Sequence, residues 1–67
     1  MKRKVIFFVL LRTSDSLHDR MAVCDFTIFD SNLKILENFN KWVLEKIQEV
    51  EDEYQKDAVV ENLKIIR

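Results

Sequence analysis

The sequence predicts an α+β fold of ββαβ order, with a three-stranded sheet (order 2-1-3) and one long amphipathic helix packed on one face. Three observations carry that reading: an unbroken apolar run over Val5–Leu11, two-residue alternation over Met21–Phe29, and three- and four-residue spacing from Leu33 onward. The 67 residues form a single domain, 1–67. Strands are expected over about 4–12, 21–29 and 58–66, and the helix over about 32–55.

Val5-Ile6-Phe7-Phe8-Val9-Leu10-Leu11 is β-branched and aromatic throughout, as a strand buried on both faces requires. Thr13 to Arg20 is polar apart from Leu17, and Ser14, Asp15, Ser16 and Asp19 supply turn chemistry without glycine. An eight-residue connection of this kind is expected to be a mobile tip. In the next segment Ala22, Cys24, Phe26 and Ile28 fall on one side, and Val23, Asp25, Thr27 and Phe29 on the other.

Asp30-Ser31-Asn32 offers three N-cap residues in a row, with no Glu or Gln placed to complete a capping box. Leu36, Phe39, Val43, Ile47, Val50 and Tyr54 then mark a helical stripe that Ile35 and Trp42 widen. Ala58-Val59-Val60 and Leu63-Lys64-Ile65-Ile66 flank Glu61-Asn62 without strict alternation. This predicts a short strand with a bulge, a helical continuation being the alternative.

A domain this small buries only about 60% of its unfolded surface, so disulfides, metal or association commonly supplement the core. One cysteine, Cys24, and one histidine, His18, exclude an intrachain disulfide and an intrachain Cys/His zinc site. No cofactor is expected. Hydrophobic residues make up 48% of the chain, including seven Val, six Ile, seven Leu and five Phe, which excludes disorder by composition. Net charge is −1, so no global field points to nucleic acid or membrane.

Glycine and proline are both absent, where average usage would give about eight together. Phosphate-cradling loops, dinucleotide fingerprints and nucleophile elbows all depend on glycine and are excluded. The basic start Lys2-Arg3-Lys4 ahead of Val5–Leu11 imitates a secretory leader. The run is too short, and Arg12 and Thr13 follow where a small-residue cleavage site would stand. With a lone free cysteine, a reducing cytoplasmic setting is expected.

One helix shields one side of a sheet. If Ala22, Cys24, Phe26 and Ile28 meet the helix, Val23 and Phe29 face away. Strand one then adds either Ile6, Phe8 and Leu10 or Val5, Phe7, Val9 and Leu11 to the uncovered side. Ile6, Phe8, Leu10, Val23 and Phe29 are the candidate interface, and a homodimer or another protein partner is the expected cover.

A second candidate surface is acidic. Residues 45 to 57 carry six carboxylates against two lysines, net −4. Glu45, Glu49, Asp52 and Glu53 lie in the C-terminal half of the helix, where the macrodipole disfavours negative charge. Spaced carboxylates of this kind can imitate a phosphate row and occupy a basic groove, whereas a solvated face is the simpler reading.

Other chemistry-bearing residues read as structural. His18 lies among Ser14, Asp15, Ser16 and Asp19, the residue types of a nucleophilic triad. A turn gives neither a rigid orienter nor an oxyanion hole. Cys24 reads as a small buried hydrophobe, Trp42 and Tyr54 as core residues, and Lys2, Arg3 and Lys4 as a solvated tail.

The hairpin, long helix and terminal strand, ending Val59-Val60-Glu61-Asn62-Leu63-Lys64-Ile65-Ile66, resemble small phage and mobile-element proteins of AT-rich bacteria. Many of these inhibit host defence, anti-CRISPR proteins among them. The resemblance implies stoichiometric protein binding without catalytic residues. The functional expectation is a non-enzymatic protein-binding module of this inhibitor type. Its alternative is a structural or regulatory subunit whose open sheet face completes an oligomer.

Overall fold

A computed structural model describes residues 2–67. The elements follow the order β1 (Lys2–Arg12), β2 (Leu17–Thr27), α1 (Asn32–Tyr54) and β3 (Val59–Ile66). β1 is central and pairs antiparallel with both neighbours, giving the order β2-β1-β3. β3 thus runs in the same direction as β2, as a helical crossover back over the sheet requires.

The continuous apolar run of β1 resolves into two faces. Val5, Phe7, Val9 and Leu11 are buried beneath α1, while Ile6, Phe8 and Leu10 point to the other side and are only half-buried. Against the first row pack Phe26 of β2 and Ile35, Phe39, Val43 and Val50 of α1. Phe7 is the hub, with ring centroids 5.1 Å from Phe39, 5.7 Å from Trp42 and 6.2 Å from Phe26. Fully burying each such side chain stabilises the fold by about 1.5–3 kcal/mol.

The helix starts where Ser31, in extended conformation, accepts the Lys34 backbone N–H on its hydroxyl at 3.1 Å. It ends at Gln55, whose φ of 55° reverses the chain and whose N–H donates to the Glu51 carbonyl at 2.8 Å. The buried stripe is narrower than the spacing suggests. Leu36 and Tyr54, expected in the core, are each 42% exposed, because a single ridge through Ile35, Phe39, Val43 and Val50 makes the sheet contact.

Both ends of β2 differ from expectation. The expected mobile tip is a four-residue turn, and β2 begins at Leu17. Thr13 is buried there, donates its backbone N–H to the Ser16 carbonyl at 2.9 Å, and hydrogen-bonds Asp15 and Ser16 through its hydroxyl. Polar side chains close this turn without glycine. At the other end Asp30 takes the Thr27 N–H on its carboxylate at 2.7 Å and returns its own N–H to the Thr27 carbonyl at 3.2 Å. That turn ends the strand at Thr27, so Ile28 and Phe29 lie in a connection rather than on alternate faces of a sheet.

β3 carries the expected bulge. Leu10 pairs with Asn62 but Leu11 pairs with Val60, which leaves Glu61 as the extra residue. Arg12 Nε donates to Glu61 Oε2 at 2.9 Å across this irregularity.

Candidate functional site

The side of the sheet away from α1 is covered by no other element among the described residues. Register arranges it in rows across β2, β1 and β3: Leu17, Arg12, Val59; Asp19, Leu10, Asn62; Met21, Phe8, Lys64; Val23, Ile6, Ile66; and Asp25 beside Lys4. The central residues Ile6, Phe8 and Leu10 are partly sheltered by their neighbours within the sheet. The flanks are not: Met21 is 67% and Val23 60% exposed. Isolated exposed hydrophobes are ordinary on a protein surface, but a contiguous apolar patch marks an interaction site.

Four of the five expected interface residues, Ile6, Phe8, Leu10 and Val23, come together on this face. Phe29 does not. It sits in the β2–α1 turn and is 86% exposed. The face also includes Leu17, Met21, Val59 and Ile66, which sequence reasoning missed. Alternation followed back from Val23 through Met21 to Leu17 would have found the first two.

The face carries its own charges. Lys4 and Asp25 lie directly opposite each other and pair at 3.1 Å, and Arg12 pairs with Glu61. Asp19 on β2 and Lys64 on β3 make no ion pair among the described residues, although both are exposed.

The acidic helix end is more internally engaged than its composition suggests. Lys46 donates to both oxygens of Glu49 at 2.9 and 3.0 Å, Gln48 donates to Asp52 at 2.8 Å, and Arg20 lies 3.6 Å from Glu53. Glu51 accepts the Ala58 backbone N–H at 3.0 Å and so fixes the entry to β3. Glu45 lines an open groove of about 370 Å³ with Phe7, Cys24, Phe26, Asn38 and Trp42. Burial pushes the half-buried Cys24 thiol above its usual range, and the Asp25 carboxylate adds to the effect.

Around His18, Ser16 Oγ and His18 Nε2 are 2.7 Å apart, and the imidazole lies against Tyr54 with ring centroids 4.2 Å apart. Asp15 engages Lys56, Thr13 and Ser16, so the carboxylate of this cluster does not orient the imidazole. Among the described residues no group of three or more His, Cys, Asp or Glu is placed to hold a metal ion, and no helix is long and apolar enough to cross a membrane.

No protein-family model, curated protein or solved structure matches this chain.

Proposed function

We propose that this chain is a non-enzymatic protein-binding module that acts through the open face of its sheet. The supporting observation is the Ile6, Phe8 and Leu10 row, flanked by exposed Met21 and Val23, with no element of the described residues over it. Burying apolar surface is worth roughly 25 cal/mol per Å², which gives such a face a favourable reason to meet a protein surface. The mode is stoichiometric binding, as in host-defence inhibitors and in assembly subunits, and the lone free thiol of Cys24 suits the reducing cytoplasm.

Val23→Glu tests this reading. The position is exposed on an edge strand, so circular dichroism should stay unchanged. Binding of an apolar-surface dye, or association seen by light scattering, should fall sharply. A wild-type chain that stays monomeric and binds no dye would remove the proposal.

A second reading places the contact on the acidic helix end. Glu45, Glu49 and Asp52 recur at four- and three-residue steps and share one exposed helical face. Reversing all three to lysine should abolish partner binding under this reading and leave it intact under the first. Glu53 is better left unchanged, because it faces Arg20.

A further inference from the structure

The rows of the open face differ in a specific way between its two edges. Down β2 the residues are Leu17, Asp19, Met21 and Val23; at the same levels on β3 stand Val59, Asn62, Lys64 and Ile66. Level by level, apolar is matched with apolar at both ends, and polar with polar at the second level. At the third, the Met21 thioether on one edge is matched by the aliphatic stem of Lys64 on the other, with Phe8 between them. Asp19 and Lys64, unpaired among the described residues, lie on opposite edges one level apart along the strands.

We propose that the occupant of this face is a second copy of the chain, packed sheet to sheet about a two-fold axis that runs roughly along the strands. This rests on the open-face reading above and names its partner. Such an axis lays β2 of one copy over β3 of the other without changing level. Leu17 then meets Val59 of the second copy, Val23 meets Ile66, and Phe8 meets Phe8. Arg12 and Lys4 of the central strand also meet their own copies, each already neutralised within its chain, by Glu61 and Asp25 respectively. Lys64 lies along Met21 and reaches the adjacent Asp19, and symmetry makes this contact twice. Stacked sheets lie about 10 Å apart, a gap that long side chains fill. A two-fold across the strands at the level of Phe8 would instead lay Lys64, which has no ion-pair partner among the described residues, over Lys64, and Asp19 over the apolar Val23, which charge and desolvation both oppose.

The size of the face bounds the strength of the dimer. Three strands stand abreast only over Ile6–Arg12, with β1 and β2 alone beyond, which gives a patch of roughly 450 Å² per copy. The total of about 900 Å² stands just under the size expected of a specific, stable interface. A weak, reversible dimer is the form this surface supports.

Sedimentation equilibrium of the full chain across a concentration series tests the inference, with Asp19→Lys, Lys64→Glu and the double exchange. Both residues are exposed, so folding is preserved and circular dichroism verifies it. Each single reversal should weaken dimerisation about five- to tenfold, because the contact occurs twice. The double exchange should restore it to within about threefold of wild type.

A chain monomeric at every concentration overturns the dimer, and dye binding that falls with Val23→Glu then keeps the open-face reading alive. A dimer lost with Val23→Glu but indifferent to both charge reversals overturns the two-fold arrangement alone. A dimer indifferent to all three variants is held by a strand edge, and both readings fail.

Discussion

Lys56, two residues beyond the end of the helix, donates its ammonium to the Asp15 carboxylate at the tip of the β1–β2 hairpin. The contact ties together three chain segments that meet at one end of the molecule, namely the hairpin turn, the helix exit and the approach to β3. Thr13 and Ser16 donate to the same carboxylate. What composition marks as a loose polar loop is a closed and anchored turn.

The Lys56 hydrogen bond and charge, with help from Thr13, hold Asp15 below its ordinary value of 3.8. A carboxylate with a depressed folded-state pKa stabilises the fold above its unfolded value, and that stabilisation is lost as pH falls through the lower, folded value. Asp30 behaves in the same sense through Lys34 and the Thr27 N–H. Asp15→Asn should therefore lower the urea midpoint at about pH 7, and the difference from wild type should shrink progressively as pH falls below 3.8. An Asp15→Asn penalty that persists unchanged into acid would show that the contact acts by shape instead of charge.

Phe7 and Phe8 are neighbours in sequence with opposite fates. Phe7 is 2% exposed at the centre of the aromatic cluster, whereas Phe8 points to the open face. Phe7→Ala should cost about 3–5 kcal/mol. A domain of 67 residues holds roughly 3–10 kcal/mol in total, so that variant approaches or passes the point of unfolding. Phe8→Ala, measured at dilutions where the chain is monomeric, should cost about 1 kcal/mol. Urea titrations of the two variants decide this, and equal losses would contradict the assignment of faces.

The same pair explains what was legible in the sequence. The type and order of all four elements follow from hydrophobic spacing, and the sheet order follows from the handedness of the crossover with the two-sided greasiness of β1. The facing of β1 was not legible, because Val5–Leu11 contains no polar residue to mark a solvent side. The ends of β2 were hidden for a different reason. Leu17, His18, Asp19 and Arg20 are strand residues by register with Val9 to Arg12, yet by composition they read as loop. Tertiary pairing outweighed local polarity there. Ile28 and Phe29 read as strand, but the Asp30–Thr27 hydrogen bonds turn the chain before them.

Cys24 is held in its protonated form by burial first and by Asp25 second. Its reaction with a disulfide reagent at neutral pH should be several-fold slower in the native chain than in denaturant, since only the thiolate attacks. Asp25→Asn should recover a minor part of that rate, because burial remains. Full recovery in Asp25→Asn would mean that charge, and not desolvation, governs the thiol.

Without glycine, the helix must end on a residue with a β-carbon in the left-handed region. Gln55 takes that role at φ 55° and ψ 40°, and its side-chain Nε2 donates to the Asp52 carbonyl at 2.6 Å. The left-handed conformation costs such a residue about 1–2 kcal/mol, while glycine adds about 0.5–1 kcal/mol of unfolded-state entropy. Gln55→Gly should thus stabilise the chain by about 0.5–1 kcal/mol. A loss in the denaturant midpoint would show that the exposed Gln55–Asp52 bond outweighs the relief of backbone strain.

Arg3 presents the opposite case, a polar group retained at a cost. It lies on the helix-facing side of β1, opposite Phe26, and its Nε is buried with no hydrogen-bond partner among the described residues. A desolvated donor left unmade costs about 1–3 kcal/mol, although the aliphatic stem of this half-buried side chain is apolar surface that burial favours. Methionine keeps the stem and removes the orphan donor. Arg3→Met should therefore raise stability by about 1 kcal/mol, which in a domain of this size lifts the thermal midpoint by roughly 4–8 °C. Arg3→Ala removes stem and donor together and should gain less or lose. If both variants destabilise the chain equally, the guanidinium is satisfied by water and the orphan does not exist in solution.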